Sequence, residues 1–331
     1  MGTALKAAPS RFEWSPAEIA ATGARTDQLA VLQELLKSDF PHTTAAAGVI
    51  KDRMVFNYHK EGVSADALSP IYSITKSVLA LLVGIARDRG YLPSLDRAIT
   101  AYFPEIDLSA ADPRVQDIRI RHLLTMTSGW ETATTNGKPP QKTLDGLLRK
   151  FDADPGTIFS YDNNSSNILG ILLARAVGVP LEQFATEALF QPLGISQWRW
   201  RQTADGFPAT SGGLFMSLED VMRFGRLVMR RGDWNGQRII SPAYLGEAMS
   251  PQCYIGPSAR AVSDSPYGYL WFMQKTPDGK HDGYAAFGYA GQVLYVVPAL
   301  ELIVATTTLP NPEGKGGMRM IRNLILPTLP F

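Results

Sequence analysis

One serine in this chain of 331 residues has a lysine three positions later: Ser73, within "IYSITKS" (Ile71 to Ser77). Residues at i and i+3 share a helix face, so a helix beginning here brings a hydroxyl and an amine within hydrogen-bond reach. Behind Lys76 run nine apolar or small residues, Val78 to Ala86, closed by Arg87, Asp88 and Arg89. A lysine in the first turn of so apolar a helix meets unpaired N–H groups, the positive end of the helix dipole and a poorly solvated environment. All three disfavour the ammonium form, so Lys76 is expected to give up its proton near neutral pH and serve as a base for Ser73. A serine deprotonated in this way attacks a carbonyl carbon. The plainer reading of Ser-x-x-Lys is a helix cap followed by a solvated lysine, which fits poorly with the apolar run.

Acyl transfer also needs a proton donor for the leaving group. The stretch "FSYDNNSSNILG" (Phe159 to Gly170) offers Tyr161, with Asn163 two residues on, ahead of a helical pattern from Ser166. Taken alone, the same stretch reads as an Asn- and Ser-rich turn, and Asn163 and Asn164 also begin overlapping Asn-x-Ser glycosylation matches. A Ser-His-Asp hydrolase would place its nucleophile in Gly-x-Ser-x-Gly. Gly194 to Trp198 and Gly256 to Arg260 both lack the closing glycine. His42, His59, His122 and His281 are scattered without metal-ligand spacing, and Cys253 is the single cysteine. Neither a metal nor an organic cofactor is expected, and no internal disulfide can form.

The elements that must position these residues follow from periodicity. Thr26 to Ser38 is amphipathic, Ala46 to Tyr58 reads as a hairpin turning at Lys51-Asp52-Arg53, and the Ser73 helix runs from 71 to Gly90, which suits a left-handed cap. From about Leu92 to Ala209 short helical patterns are broken by prolines at 104, 113, 139, 155, 180 and 192. Helical spacing returns at Leu218 to Arg231. Strand-like runs follow at Gly268 to Gln274, Ala285 to Val297 and Leu302 to Thr308, then a last helix near Gly317 to Leu326. The expected fold is α/β (α+β): an antiparallel sheet flanked by helices and built from both chain ends. Residues 1–91 and 210–331 form the sheet domain, and residues 92–209 form an inserted helical domain carrying the Tyr-x-Asn loop. Trp198 and Trp200 alternate as core strand residues, while Trp130, in a loop near the predicted cleft, is a candidate substrate contact.

With 45% hydrophobic and 19% charged residues the chain supports a sizeable core. Its 32 basic and 31 acidic residues form no like-charge block, which leaves no footprint for nucleic acid or an anionic membrane. The apolar run at Val78 to Ala86 is well short of the roughly 18–20 residues that cross a bilayer. The expected partner is a small ester or amide, and the oligomeric state stays open. The N-terminus lacks the apolar core of an export signal. A full-length chain would be cytoplasmic, and a processed one periplasmic or secreted.

Taken together and in order, these segments resemble the serine hydrolases of the class C β-lactamase and penicillin-binding-protein group, closest to its esterase and 6-aminohexanoate-dimer (nylon oligomer) hydrolase branch. The resemblance spans about Ala46 to Thr308. It rests on "YSITKS", "HLLTMTSGW" (His122 to Trp130), "YDN" (Tyr161 to Asn163), "SGGLFMSLEDVMRFGRL" and "YGYLWFM". It implies a β-lactamase/transpeptidase-like fold, with Ser73, Lys76 and Tyr161 as the catalytic residues and Asn163 placing Lys76 or the acyl chain. In the family's β-lactamases Lys-Thr-Gly lines the site. Here Lys275-Thr276 is followed by Pro277 in a turn, and is rejected. "AFGYAGQVLYVVP" (Ala286 to Pro298) is instead similar to the Gly-x-x-Gly-Gln strand of the esterase and nylon-oligomer branch. That match puts Gly288 at the motif glycine and implies an oxyanion hole from the N–H groups of Ser73 and Tyr289. The competing reading of Gly288 and Gly291 is a bulge or close packing in a core strand. The expected activity is hydrolysis of small esters or amides through an acyl-enzyme. The alternatives are a β-lactamase or D-amino-acid peptidase, and a catalytically silent sensor of β-lactam-like ligands.

Overall fold

The computed structural model describes residues 13–16, 26–131, 141–256, 265–310 and 317–328. The helix break expected at Pro139 and most of the rejected segment 256–260 lie outside them. Among the described residues nine strands form the main sheet: Ser15–Pro16 (β1), Thr43–Ile50 (β2), Arg53–His59 (β3), Cys253–Ile255 (β4), Ser265–Tyr267 (β5), Phe272–Lys275 (β6), Asp282–Phe287 (β7), Val293–Val297 (β8) and Leu302–Thr308 (β9). Their order is β1-β3-β2-β9-β8-β7-β6-β5-β4, antiparallel except where β1 joins β3. The expected union of both chain ends is thus made by β2 and β9, paired from Leu302 opposite Ile50 to Thr308 opposite Thr43.

The longer helices are Thr26–Ser38 (α1), Ile74–Asp88 (α2), Asn163–Val177 (α3) and Leu218–Met229 (α4). β8 and β9 are buried at every position because both sheet faces are covered. Their side chains alternate between two cores. Val293, Tyr295, Val297, Leu302 and Val304 meet Leu32 and Leu36 of α1 together with Met320, Ile321 and Ile325. Leu294, Val296, Ile303 and Ala305 belong to the larger core that contains the apolar faces of α2, α3 and α4. Gly225 lets α4 lie directly on this face: a Cβ there would come within 2.9 Å of Leu294 Cδ1 and 3.1 Å of Val296 and Ile303 methyls.

Three expected boundaries move, each for a local reason. α3 starts at Asn163 rather than Ser166 because the Asp162 carboxylate accepts the N–H groups of Asn164 and Ser165 and so caps the helix three residues earlier. The run Gly268 to Gln274 is not one strand. Tyr269 N–H turns to the Ala248 carbonyl and Leu270 N–H to that of Leu124, with Leu270 at φ 57°, so β5 ends at Tyr267 and β6 begins at Phe272. The run Ala285 to Val297 is likewise split, by a turn at Tyr289–Gly291 in which Ala290 adopts φ 65°. The presumed oxyanion strand is therefore a strand end followed by a turn.

α2 is held against the short helix Pro242–Ala248 by a close contact at Gly84. A Cβ at 84 would fall 2.4 Å from Cδ1 and Cε1 of Tyr244. That ring is buried, and its hydroxyl donates to the Ala80 carbonyl at 2.7 Å. Gly84→Val is expected to force the ring out of place and to lower stability by about 1–3 kcal/mol. Urea unfolding followed by circular dichroism would show it as a lower midpoint at unchanged slope.

Candidate active site

Ser73 is the N-cap of α2, yet its side chain makes no capping hydrogen bond. The hydroxyl is diverted. It sits 3.0 Å from Lys76 Nζ and faces the Ser211 carbonyl at 3.4 Å. The plain helix-cap reading of Ser-x-x-Lys therefore does not describe it. The residue before it, Tyr72, is held at φ 44°, a left-handed conformation that a bulky side chain adopts only under constraint. The constraint comes from Ile71, whose N–H donates to the Leu214 carbonyl as the chain leaves the small strand Ser69–Pro70.

Lys76 lies in the first turn of α2 and is 2% exposed. Besides Ser73 Oγ, its Nζ is hydrogen-bonded to Asn163 Oδ1 at 2.8 Å and to the Ser211 carbonyl. Three acceptors match the three donors of an ammonium. Burial opposes them, lowering the pKa from 10.5 to about 7, with Asp162 pulling it the other way. Both protonation states are therefore accessible near neutral pH, which a solvated lysine never offers. Nζ also lies 4.8 Å from the ring centroid of Tyr161.

The Tyr-x-Asn spacing has a geometric cause. Asp162 is extended (φ −130°, ψ 119°), and alternate residues of an extended segment point to the same side. Tyr161 and Asn163 consequently both flank Lys76, while Asp162 turns away to Arg149 Nη2 at 2.7 Å and Ser165 Oγ at 2.6 Å.

The fourth segment is the turn after β7. Gly288 fits because any Cβ would lie 2.5 Å from the Ile71 carbonyl and 2.7 Å from Gln292 Cβ. Tyr289 packs edge-on against Tyr72, with ring centroids 5.6 Å apart. Its backbone is thereby brought beside the residues that precede Ser73. Gln292 is fully buried and grips Thr308. Its Oε1 accepts the Thr308 N–H at 3.0 Å, and its Nε2 donates to the Thr308 carbonyl at 2.7 Å, which pins the turn to the end of β9.

The structure thus brings Ser73, Lys76, Tyr161, Asn163, Gly288 and Tyr289 to one place. Trp130 is not brought there as a surface residue. It is 1% exposed, packs against Phe151 and lies under the Arg149 guanidinium at 4.7 Å, so it supports the site rather than facing a cleft. Trp200 is buried in Arg199–Trp200, and Trp198 precedes that strand, half-buried against Phe190. Lys275, the rejected lysine, pairs with Asp282 at the far end of β7 from Gly288. Six strand residues put it roughly 20 Å away.

Sequence reasoning missed Ser211, whose carbonyl accepts from both Ser73 and Lys76. It also missed Asn167, whose Oδ1 accepts the Ser211 N–H at 2.9 Å and holds that carbonyl in place. The signal was the Ser211-Gly212-Gly213 run: a Cβ at 213 would lie 2.7 Å from the Ala209 and Arg201 carbonyls. Among the described residues no three His, Cys, Asp or Glu side chains converge as a metal site.

A wide antiparallel sheet with helices on both faces, a Ser-x-x-Lys pair opening a buried helix and a facing Tyr-x-Asn segment define the β-lactamase/transpeptidase-like class. The chain belongs to the beta-lactamase family, whose model matches residues 35–324. It is 24% identical over 333 residues to the 6-aminohexanoate-dimer hydrolase of Paenarthrobacter ureafaciens, covering 91% of this chain and 82% of that one. It is 23% identical over 332 residues to beta-lactamase-like protein 4 of Dictyostelium discoideum. That match takes in 81% of this chain but spans only 57% of the relative's length. A shorter match, 32% over 149 residues, joins 39% of the chain to 38% of esterase EstB of Burkholderia gladioli. Among solved structures, a family VIII carboxylesterase superposes with a TM-score of 0.73 at 16% identity, covering 96% of this chain and 99% of that one. Relatives named for an activity include this 6-aminohexanoate-dimer hydrolase, this esterase and β-lactamases, and the family is one of hydrolases.

The depressed pKa of Lys76 has a consequence for stability. Unfolded, the amine holds its proton up to about pH 10.5, and folded only to about 7. Between these values the unfolded chain binds more protons, so raising the pH through that window favours the folded state. Relative to Lys76→Met, wild-type stability should therefore improve from pH 7 toward pH 10, by at most about 1.4 kcal/mol per pH unit. Parallel urea titrations at several pH values would read this. A difference flat with pH would mean that Lys76 is an ordinary protonated lysine in the fold.

Proposed function

We propose that this protein is a serine hydrolase that cleaves small esters or amides through an acyl-enzyme formed on Ser73. The observation that carries the reading is the 3.0 Å contact between Ser73 Oγ and a buried Lys76 amine whose pKa lies near 7. Neutral Lys76 takes the Ser73 proton as Oγ bonds to the carbonyl carbon, and the carbonyl oxygen becomes an oxyanion. The N–H groups of Ser73 and Tyr289 receive that charge, the former at a helix start where such groups have no intrahelical acceptor. Tyr161 passes a proton to the leaving alcohol or amine as the tetrahedral species collapses, with Lys76 restoring it. Water then attacks the acyl-enzyme by the reverse proton path, releasing the acid and Ser73. Asn163 holds Lys76 Nζ in register throughout.

The substrate class rests on what stands near the oxyanion turn. A β-lactam brings a carboxylate, and the one lysine in a Lys-Thr sequence on the sheet is paired with Asp282 at the other end of β7. A neutral acyl group is the better match, in line with the esterase and 6-aminohexanoate-dimer hydrolase names among the relatives.

Short-chain p-nitrophenyl esters are expected to be turned over in steady state, with nitrocefin hydrolysed weakly or not at all. A fluorophosphonate should label Ser73, and Ser73→Ala should abolish both labelling and turnover. Robust nitrocefin turnover would overturn the substrate assignment, and a single acylation burst without steady state would point to a sensor. Tyr161→Phe should lower kcat by roughly 10²–10⁴ with little change in KM, as loss of a general acid does. The acid limb of kcat/KM should have its midpoint near pH 7, where Lys76 gains its proton.

A further inference from the structure

The side of the Tyr-x-Asn segment that faces away from Ser73 holds a buried ion pair. Asp162 and Arg149 meet at 2.7 Å with side chains 9% and 12% exposed. The guanidinium has no freedom left: Nε donates to the Gly146 carbonyl at 3.2 Å, Nη1 to the Glu131 carbonyl at 3.2 Å, and the plane lies 4.7 Å from the Trp130 ring centroid. Asp162 accepts the N–H groups of Asn164 and Ser165, each at 3.0 Å, and the Ser165 hydroxyl.

Two demands collide here. The start of α3 needs a capping acceptor, because its first N–H groups have no intrahelical partner and that of Ser165 is buried. A carboxylate is a strong cap, but this one lies between Tyr161 and Asn163, both of which touch Lys76. Uncompensated, its negative charge would hold Lys76 as an ammonium, useless as a base. Arg149 supplies the opposite charge on the far side of the carboxylate.

We propose that the Arg149–Asp162 pair, seated on the Trp130 indole, is a positioning element of the Ser73–Lys76 site: it fixes Tyr161 and Asn163 on the flank of Lys76 and offsets part of the charge that Lys76 would otherwise face. The inference rests on the reading of Lys76 as the base. Among the described residues, the groups that bond to Lys76, pack on it or act on its charge are few. On its own helix there is Ser73, from the segment before α3 come Tyr161 and Asp162, from α3 itself Asn163, and from the loop before Leu214–Met216 the Ser211 carbonyl. Asp162 is the one carboxylate among them, so the sign of its effect is fixed.

The test is the titration midpoint of Lys76, followed by NMR on protein carrying ¹³C-lysine, with the resonance assigned through Lys76→Arg. Asp162→Asn keeps an oxygen for the cap and removes the charge, and should lower the midpoint by at least about half a pH unit. Arg149→Met leaves the carboxylate unbalanced and should raise it by a similar amount. The double variant should return to within a few tenths of wild type. A merely structural pair would lower activity in both single variants and leave the midpoint where it was. Unmoved midpoints, or shifts of the same sign, in variants that melt cooperatively would overturn the proposal. Should Arg149→Met not fold, Arg149→Lys, which keeps the charge, should leave the midpoint unmoved, and Asp162→Asn decides alone. The titration does not depend on turnover. Failure of the wild type to cleave any small ester or amide would remove the proposed function and leave this result standing.

Discussion

A single buried amine organises the site. Lys76 Nζ is out of water and can be tolerated there only if its hydrogens find acceptors. It takes them from three separated segments: Ser73 at the start of α2, Asn163 at the start of α3, and the Ser211 carbonyl before the strand Leu214–Met216. Those contacts tie the sheet portion of the chain to the helices that interrupt it. They also bring the hydroxyl, the amine and the phenol into one small volume. The burial that makes the ammonium unfavourable lowers the pKa of the amine to about 7, so both protonation states are open to it near neutral pH.

Around this amine the backbone is bent in ways that ordinary side chains avoid. Tyr72 at φ 44° directly precedes Ser73, and Ala290 at φ 65° lies in the turn whose Tyr289 ring packs on Tyr72. Left-handed conformations at non-glycine residues persist only where the surroundings over-determine them. Here those surroundings are the Ile71 hydrogen bond to Leu214, the edge-on contact of Tyr72 with Tyr289, and the Gln292 amide locked on Thr308. The wide sheet gives these restraints something stiff to pull against. β8 and β9 are buried on both faces, and the turn carrying Tyr289 joins β7 to β8.

Family membership narrows the chemistry without choosing the substrate. Relatives with esterase, 6-aminohexanoate-dimer hydrolase and β-lactamase names share the fold, which leaves the substrate to the residues around the site, among them those of the turn opposite Ser73. In this chain that position is filled by Gly288 and an exposed Tyr289.

What could be read without coordinates was whatever the chain encodes over short spans. Ser73 and Lys76 are three residues apart on one helix, and Tyr161 and Asn163 two apart on one extended segment, so periodicity alone aligns each pair. The unbroken apolar stretches Val293–Val297 and Leu302–Ala305 likewise announced strands covered on both faces. Turns formed by distant partners were not legible. The break at Gly268 to Trp271 depends on carbonyls at Ala248 and Leu124, and the split at Tyr289–Gly291 on Thr308. Trp130 looked like a cleft residue because a loop tryptophan is often exposed, whereas its burial under Arg149 was set by a partner 19 residues away. Local sequence determined which groups have the right chemistry and spacing. Only the tertiary structure decided which carbonyl satisfies Lys76, which charge faces it and which residue opposes Ser73, because those are contacts between segments whose separation along the chain carries no periodicity.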